Sequence, residues 1–130
     1  MKTLSGLDVV SIHMPSGLRR KRAGILCHAS SITSDFRYIT EVFGSGSGCQ
    51  MAALFGPQHG ISGQTQDNMI EWEGSTDPLL RIPVYSLYGE HRKPTPAMLN
   101  GLDAMVVDLQ DVGARLYTYI WTVKLCMEAC

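Results

Sequence analysis

Four short apolar runs punctuate the chain: Ala23 to Cys27, Met51 to Phe55, Ile82 to Leu87 and Ala104 to Asp108. None alternates strictly, which is the pattern of strands buried on both faces. Pro83 falls at the start of its run, where a missing donor is tolerated. Helical signals lie between the runs. Ser34 or Asp35 is placed to cap a helix reaching about Phe43, and Gly44 to Gly48 then reads as a helix-to-strand turn. Thr95 before Pro96 reads as a cap with proline at the first helical position. Leu116, Ile120, Val123, Met127 and Cys130 recur at helical spacing, while Tyr117, Trp121 and Leu125 make much of the other side apolar. A helix apolar on most sides is expected to be buried. Strands alternating with helices predict an α/β fold, Rossmann-like, with a mostly parallel sheet between two helical layers. The last helix stops on Glu128, Ala129 and Cys130 with no glycine, proline or basic turn to close it. Residues 1–130 are therefore expected to be the N-terminal portion of a larger protein, self-associating through uncovered surfaces.

Composition narrows the function classes. The 130 residues are 45% apolar and 18% charged, with a net charge of −1, so one ordered domain is expected. Eleven basic against 12 acidic residues leave no electrostatic footprint for nucleic acid or an anionic membrane. No apolar run nears the roughly 20 residues of a membrane span. Met1 to Asp8 lacks a signal-peptide core, which predicts a cytoplasmic protein unless a leader has been removed. Cys27, Cys49, Cys126 and Cys130 suit neither a zinc ribbon nor a disulfide scaffold and read as reduced thiols. The chain has no glycine-rich dinucleotide fingerprint, no P-loop, no nucleophile elbow and no H-x-x-x-H pair, so neither cofactor nor metal is expected.

In open parallel sheets, ligands bind beyond the carboxyl ends of the strands. Polar segments follow all four runs there, beginning with His28-Ala29-Ser30-Ser31. In Phe55-Gly56-Pro57-Gln58-His59-Gly60, two glycines and a proline fix a tight turn presenting Gln58 and His59; His59 suits acid-base work near neutral pH. In Asp108-Leu109-Gln110-Asp111-Val112-Gly113-Ala114-Arg115, Asp108 ends an apolar strand and needs a partner or solvent. Arg115, placed in the first turn of the last helix, is expected to pair with Asp108, Asp111 or a ligand carboxylate. Tyr117 and Tyr119 supply hydroxyls or a stacking face, or belong to the core. After the third strand, Tyr88, Glu90, His91 and Arg92 form either a substrate-facing group or a solvated loop. In the polar crossover from Gln64 to Gly74, Glu71 and Glu73 flank Trp72. An aromatic platform between carboxylates suits carbohydrate, and glycoside hydrolysis uses paired carboxylates; a surface loop with Trp72 tucked inward is the other reading.

Several of these stretches occur together in one known family. Gly56-Pro57-Gln58-His59-Gly60, Ser75-Thr76-Asp77-Pro78, Val84 to Gly89, Arg92-Lys93-Pro94-Thr95 and Asp108 to Tyr119, in this order, resemble the NamZ-type exo-β-N-acetylmuramidases, and the likeness runs from Gly6 to Cys130. It implies a Rossmann-like N-terminal domain without a nucleotide, followed by a smaller domain, with the active site in the cleft between. The implied activity is release of N-acetylmuramic acid from non-reducing ends of peptidoglycan fragments, in cell-wall turnover and recycling. On this reading His59, Glu73, Asp108 and Asp111 are the catalytic candidates. Gln58, Glu71, Tyr88, Arg92, Gln110, Arg115, Tyr117 and Tyr119 are the substrate-binding candidates, and Arg115 or Arg92 suits the lactyl carboxylate. The sequence departs from the family at two places. The family turn is G-P-E-H-G and its glutamate is the favoured catalytic group; here the residue is Gln58, and an amide cannot pass a proton to a glycosidic oxygen. Either another carboxylate among Glu71, Glu73, Glu90, Asp108 and Asp111 does that work, or this chain binds sugar without cutting it. Cys27-His28-Ala29-Ser30-Ser31 likewise replaces a version containing asparagine and threonine.

Overall fold

The structure, a computed structural model, describes residues 3–44, 46–65 and 70–130. The parts of the glycine-serine turn and of the Gln64 to Gly74 crossover that fall on residues 45 and 66–69 lie outside the described residues. One sheet contains β1 (Arg22–Cys27), β2 (Gln50–Gly56), β3 (Ser75–Thr76), β4 (Pro83–Ser86) and β5 (Ala104–Asp108) in the order β3-β4-β2-β1-β5. The four apolar runs are the parallel strands. The two-residue β3 adds an antiparallel edge to β4. It has too little length to leave a sequence signal.

Residue alternation along the strands divides the interior in two. Ala23, Ile25, Cys27, Leu54 and Val84 pack with Leu7 of α1 (Gly6–Ile12) and with Ile39, Val42 and Phe43 in and beside α2 (Ile39–Val42). Leu26, Ala53, Phe55 and Leu87 pack with Met98 and Leu99 of α3 (Pro96–Leu99) and with Val123 and Cys126 of α4 (Tyr119–Ala129). The result is the expected α/β/α sandwich. All four cysteines are free thiols; Cys27, Cys49 and Cys126 are buried and Cys130 is exposed. Burial pushes the Cys27 and Cys126 thiols up to about 12.

Helix boundaries depart from the sequence expectations for local reasons. The helix expected from Ser34 or Asp35 is only the single turn α2. The Ser34 N–H donates to Asp8 Oδ1 at 2.7 Å, and Asp35 receives Arg37 and the Thr33 hydroxyl. Phe36 stands at φ 64, a left-handed backbone no helix accommodates. Thr95 does cap α3, its hydroxyl accepting from the Met98 N–H at 3.3 Å. The last helix begins at Tyr119, so Arg115 lies in a turn before it rather than in its first turn. That helix is also less buried than its composition suggests. Tyr119, Thr122 and Cys126 are buried, whereas Leu116 just before it and Ile120, Trp121 and Met127 on it are exposed.

An additional helix, α1, has weak stop signals but a well-made start. Ser5 and Asp8 form a reciprocal capping box, Asp8 N–H to Ser5 Oγ at 3.1 Å and Ser5 N–H to Asp8 Oδ2 at 2.8 Å. Backbone donors from Ser34 and then Ser5 hold the Asp8 carboxyl well below its ordinary range. Stability from this charge is present above the unfolded value of 3.8 and is lost as pH falls through the depressed folded value. Asp8→Asn is therefore expected to be less stable than the parent at neutral pH, with the gap closing on acidification below 3.8 in a pH series of urea melts.

At the end of β2, a Cβ on Gly56 would lie 2.5 Å from Cζ2 of the Trp72 ring. Trp72 is buried and its Nε1 donates to the Pro57 carbonyl at 3.0 Å. Gly56→Ala is expected to cost about 1–3 kcal/mol in urea denaturation, because the added methyl forces the buried Trp72 ring or the strand to shift.

Candidate functional site

β1 is paired on both sides: the chain crosses from it to β2 and on to β4 on one side, then returns to place β5 on the other. This is the topological switch point of the sheet, where a crevice opens beyond the strand ends. The register sets Cys27 opposite Asp108 across the β1–β5 pair. The residues that follow, His28 and Gln110, meet there. The Gln110 N–H points at His28 Nε2 at 3.4 Å, and the Gln110 side-chain amide donates to the Ser30 carbonyl at 3.0 Å. Ser31, fully buried, accepts from the His28 N–H at 3.1 Å and donates to the Asp108 carbonyl at 2.7 Å. The two loops thus close on one another through polar contacts.

The turn after β2 joins the same cluster. His59 and Gly60 are both left-handed, at φ 73 and φ 76. That conformation costs a histidine something like 1 kcal/mol and throws the chain back sharply. His59 Nδ1 donates to the Thr65 carbonyl, which leaves Nε2 as the ring's acceptor. The Gln58 Oε1 accepts from the Thr118 hydroxyl at 2.8 Å, and the Gln58 carbonyl accepts from the Tyr119 hydroxyl at 3.4 Å. Tyr119 in turn sets its ring 5.0 Å from His28, edge to face, and 4.6 Å from Tyr117. Gln58, Gln110, Asp108, Tyr117 and Tyr119 are therefore gathered at one rim, and His59 stands beside Gln58 in its turn.

The ionisable groups of this rim are tuned by burial. Half-buried Asp108 has its carboxyl pushed above the ordinary value of 3.8 by desolvation, against the opposing effects of the Ser31 hydroxyl and His28. Desolvation pushes the His28 imidazole below 6.5, with Asp108 opposing the shift. The Tyr119 hydroxyl is pushed up by burial and by Tyr117.

A second group lies beyond β4. Glu71, Trp72, Glu73, Glu90 and His91 border an open cavity of about 640 Å³. Arg92 donates to Glu71 at 2.9 Å while its guanidinium lies 3.6 Å from the centre of the Tyr88 ring. Trp72 connects the two groups, because its indole reaches the Pro57 carbonyl in the Gln58–His59 turn. Of the two sequence readings of Trp72, the structure takes the inward one: the ring covers Gly56 and is buried, so it offers no exposed platform to a sugar.

Two further candidates stand apart from this rim's contacts. Arg115 pairs with neither Asp108 nor Asp111, and among the described residues it makes no ion pair. Asp111 is exposed and its carboxylate accepts from the Gly113 N–H at 2.7 Å, the short-range bond of an Asx turn. The sequence reading passed over His28, Ser31 and Thr118 as site residues. Their signal was positional: His28 and Ser31 follow the strand that borders the switch point, and Thr118 precedes the helix that crosses it. Among the described residues no group of three or more His, Cys, Asp or Glu side chains is placed to hold a metal, and no helix is long and apolar enough to cross a membrane.

Comparison with known proteins places this geometry in a family. Residues 23–130 match the domain described as exo-beta-N-acetylmuramidase NamZ, N-terminal. The chain is 36% identical over 128 residues to the peptidoglycan beta-N-acetylmuramidase NamZ of Bacillus subtilis (strain 168), covering 98% of this chain and 31% of that protein. Two crystal structures of DUF1343 family proteins from Bacteroides fragilis NCTC 9343 superpose on it. One has a TM-score of 0.84 at 33% identity, covering 97% of this chain and 31% of the other. The second has a TM-score of 0.76 at 26% identity, covering 100% and 32%. The chain thus spans about a third of the length of the relatives it matches. By sequence and by fold, this chain belongs to the NamZ exo-β-N-acetylmuramidase family, in its N-terminal domain.

Proposed function

We propose that the rim at the carboxyl ends of β1, β2 and β5 recognises a terminal N-acetylmuramic acid residue of a peptidoglycan-derived glycan, and that the protein acts as an exo-β-N-acetylmuramidase in cell-wall turnover. The observation that carries this reading is the meeting of Gln58, Asp108, Gln110 and Tyr119 at the switch point of a family fold. Asp108 is the carboxylate we assign to protonating a leaving glycosidic oxygen, since burial moves it above its ordinary 3.8, the direction that a general acid needs. His59, with Nδ1 committed to a carbonyl, offers Nε2 to a hydroxyl or an attacking water. Gln58, held by Thr118 through its oxygen, offers its NH₂ to a carbonyl or carboxylate oxygen of the acetamido or lactyl group. Arg115 has no protein partner among the ion pairs described and suits the lactyl carboxylate, whereas Arg92 is already bound to Glu71.

A second reading is sugar binding without cleavage, and the observation favouring it is the amide at position 58. The test uses a chromogenic β-glycoside of N-acetylmuramic acid. The protein is assayed alone and joined to the remaining two thirds of the Bacillus subtilis relative. Turnover is expected in the joined protein and not in the 130-residue chain alone, and Asp108→Asn in the joined protein is expected to lower it by about a hundredfold or more, the usual weight of a general acid. Turnover that arises only in Gln58→Glu would make binding the native role.

The exposed apolar surface of α4 supports a further part of the proposal, that the 130-residue chain self-associates. Ile120, Trp121 and Met127 are between 60% and 73% exposed, and an apolar patch of this kind gains by leaving water. Sedimentation velocity is expected to show concentration-dependent association, reduced by Trp121→Glu.

A further inference from the structure

We propose that His28 is the positioning residue of this rim: its neutral imidazole ties the loops after β1 and β5 together and backs Tyr119, which holds the Gln58–His59 turn. The inference rests on the reading of the rim as the muramic acid site. His28 is buried, and the loop after β5 and helix α4 meet its own loop at the ring. The Gln110 N–H points at Nε2 at 3.4 Å, the Ser30 N–H at Nδ1 at 3.5 Å, and the Tyr119 ring packs against it edge to face. Both approaching groups are donors. A neutral imidazole has one acceptor nitrogen, so each tautomer keeps one of these bonds. The imidazolium has none and would set two N–H groups against two N–H groups. The Gln110 N–H therefore finds an acceptor on this ring only while the ring is neutral with its proton on Nδ1.

The surroundings of the ring decide which form prevails. Asp108 on β5 faces it and favours the charged form, while Tyr119 on α4 is neutral near physiological pH. Cys27 on β1 and Tyr38 ahead of α2 are neutral as well; the Tyr38 hydroxyl donates to the His28 carbonyl at 3.1 Å. Burial outweighs Asp108, and the imidazole sits below its ordinary value of 6.5. A base with a lowered folded value costs stability as pH falls from 6.5 through that value, because the unfolded chain binds the proton first. Raised Asp108 has the opposite sign and gains stability as pH falls through its own folded value.

Binding of N-acetylmuramic acid, measured by calorimetry from pH 8 downward past 6.5 and through the ring's lowered folded value, separates this role from simple packing. The parent is expected to lose about tenfold in affinity on acidification, the worth of one hydrogen bond lost at the rim. His28→Asn keeps an acceptor at every pH and is expected to bind within about threefold of the parent at pH 8 and to be flat with pH. His28→Phe keeps the packing without the acceptor and is expected to bind about tenfold more weakly at pH 8. An unchanged pH profile in His28→Asn, or parent-like affinity in His28→Phe, would overturn the proposal. Nitrogen-15 NMR of the parent supplies a readout that needs no sugar and no variant. The Gln110 amide is expected to titrate with the His28 ring, and independent titration would refute the positioning role. A parent that binds no muramic acid, yet shows the coupled titration, would remove the sugar reading and leave the positioning role standing.

Discussion

The double pairing of β1 is the constraint on which the remaining structure depends. Its residues from Ala23 to Cys27 are buried on both faces, and its backbone is hydrogen-bonded on both edges. A strand enclosed in this way cannot slip by one residue without turning Ile25 and Leu26 to the wrong helical layers. The register fixes Cys27 against Asp108, and the loops that follow must separate from the sheet at the same level. The meeting of these loops is a consequence of that register.

The chemistry gathered around the crevice is low in net charge. Its members are an amide at position 58, another at 110, a half-buried carboxyl, an imidazole kept neutral by burial, and two tyrosines. Such a surface suits a polar, mostly uncharged ligand held by directed hydrogen bonds, which is the chemistry of a sugar. The Gln58 turn and the His28 segment are linked in space by one residue. Tyr119 bonds the Gln58 carbonyl through its hydroxyl and packs its ring on His28. A change at either position is therefore felt at the other through a single aromatic ring.

Legibility in the sequence followed burial. The four parallel strands were readable because enclosure on both faces leaves a continuous apolar run, and their limits agree with the structure to within a residue or two. The helices were less readable because short helices are decided by single hydrogen bonds. Asp8 claims the Ser34 N–H that a helix start would have used, and Phe36 turns left-handed two residues later. Composition misled at α4, where an apolar sequence produced an exposed face. The site was readable as a set of loops at one sheet edge, but side-chain direction was not. Trp72 turned inward because Gly56 leaves a seat for its ring, and Arg115 stayed apart from the carboxylates because its turn precedes the helix. His28 was hidden by the ordinary look of a lone histidine. Only the strand order reveals that it stands at the fork.

The distribution of sulfur has a practical corollary. Three thiols are enclosed, two of them held protonated far beyond physiological pH, while Cys130 alone is open to water. Reactivity follows the thiolate, so an alkylating dye or spin label would attach at the far end of α4 and nowhere else among the cysteines. The opposite end of that helix carries Tyr119, and a reporter installed this way would register tilting of the helix without touching the crevice it borders.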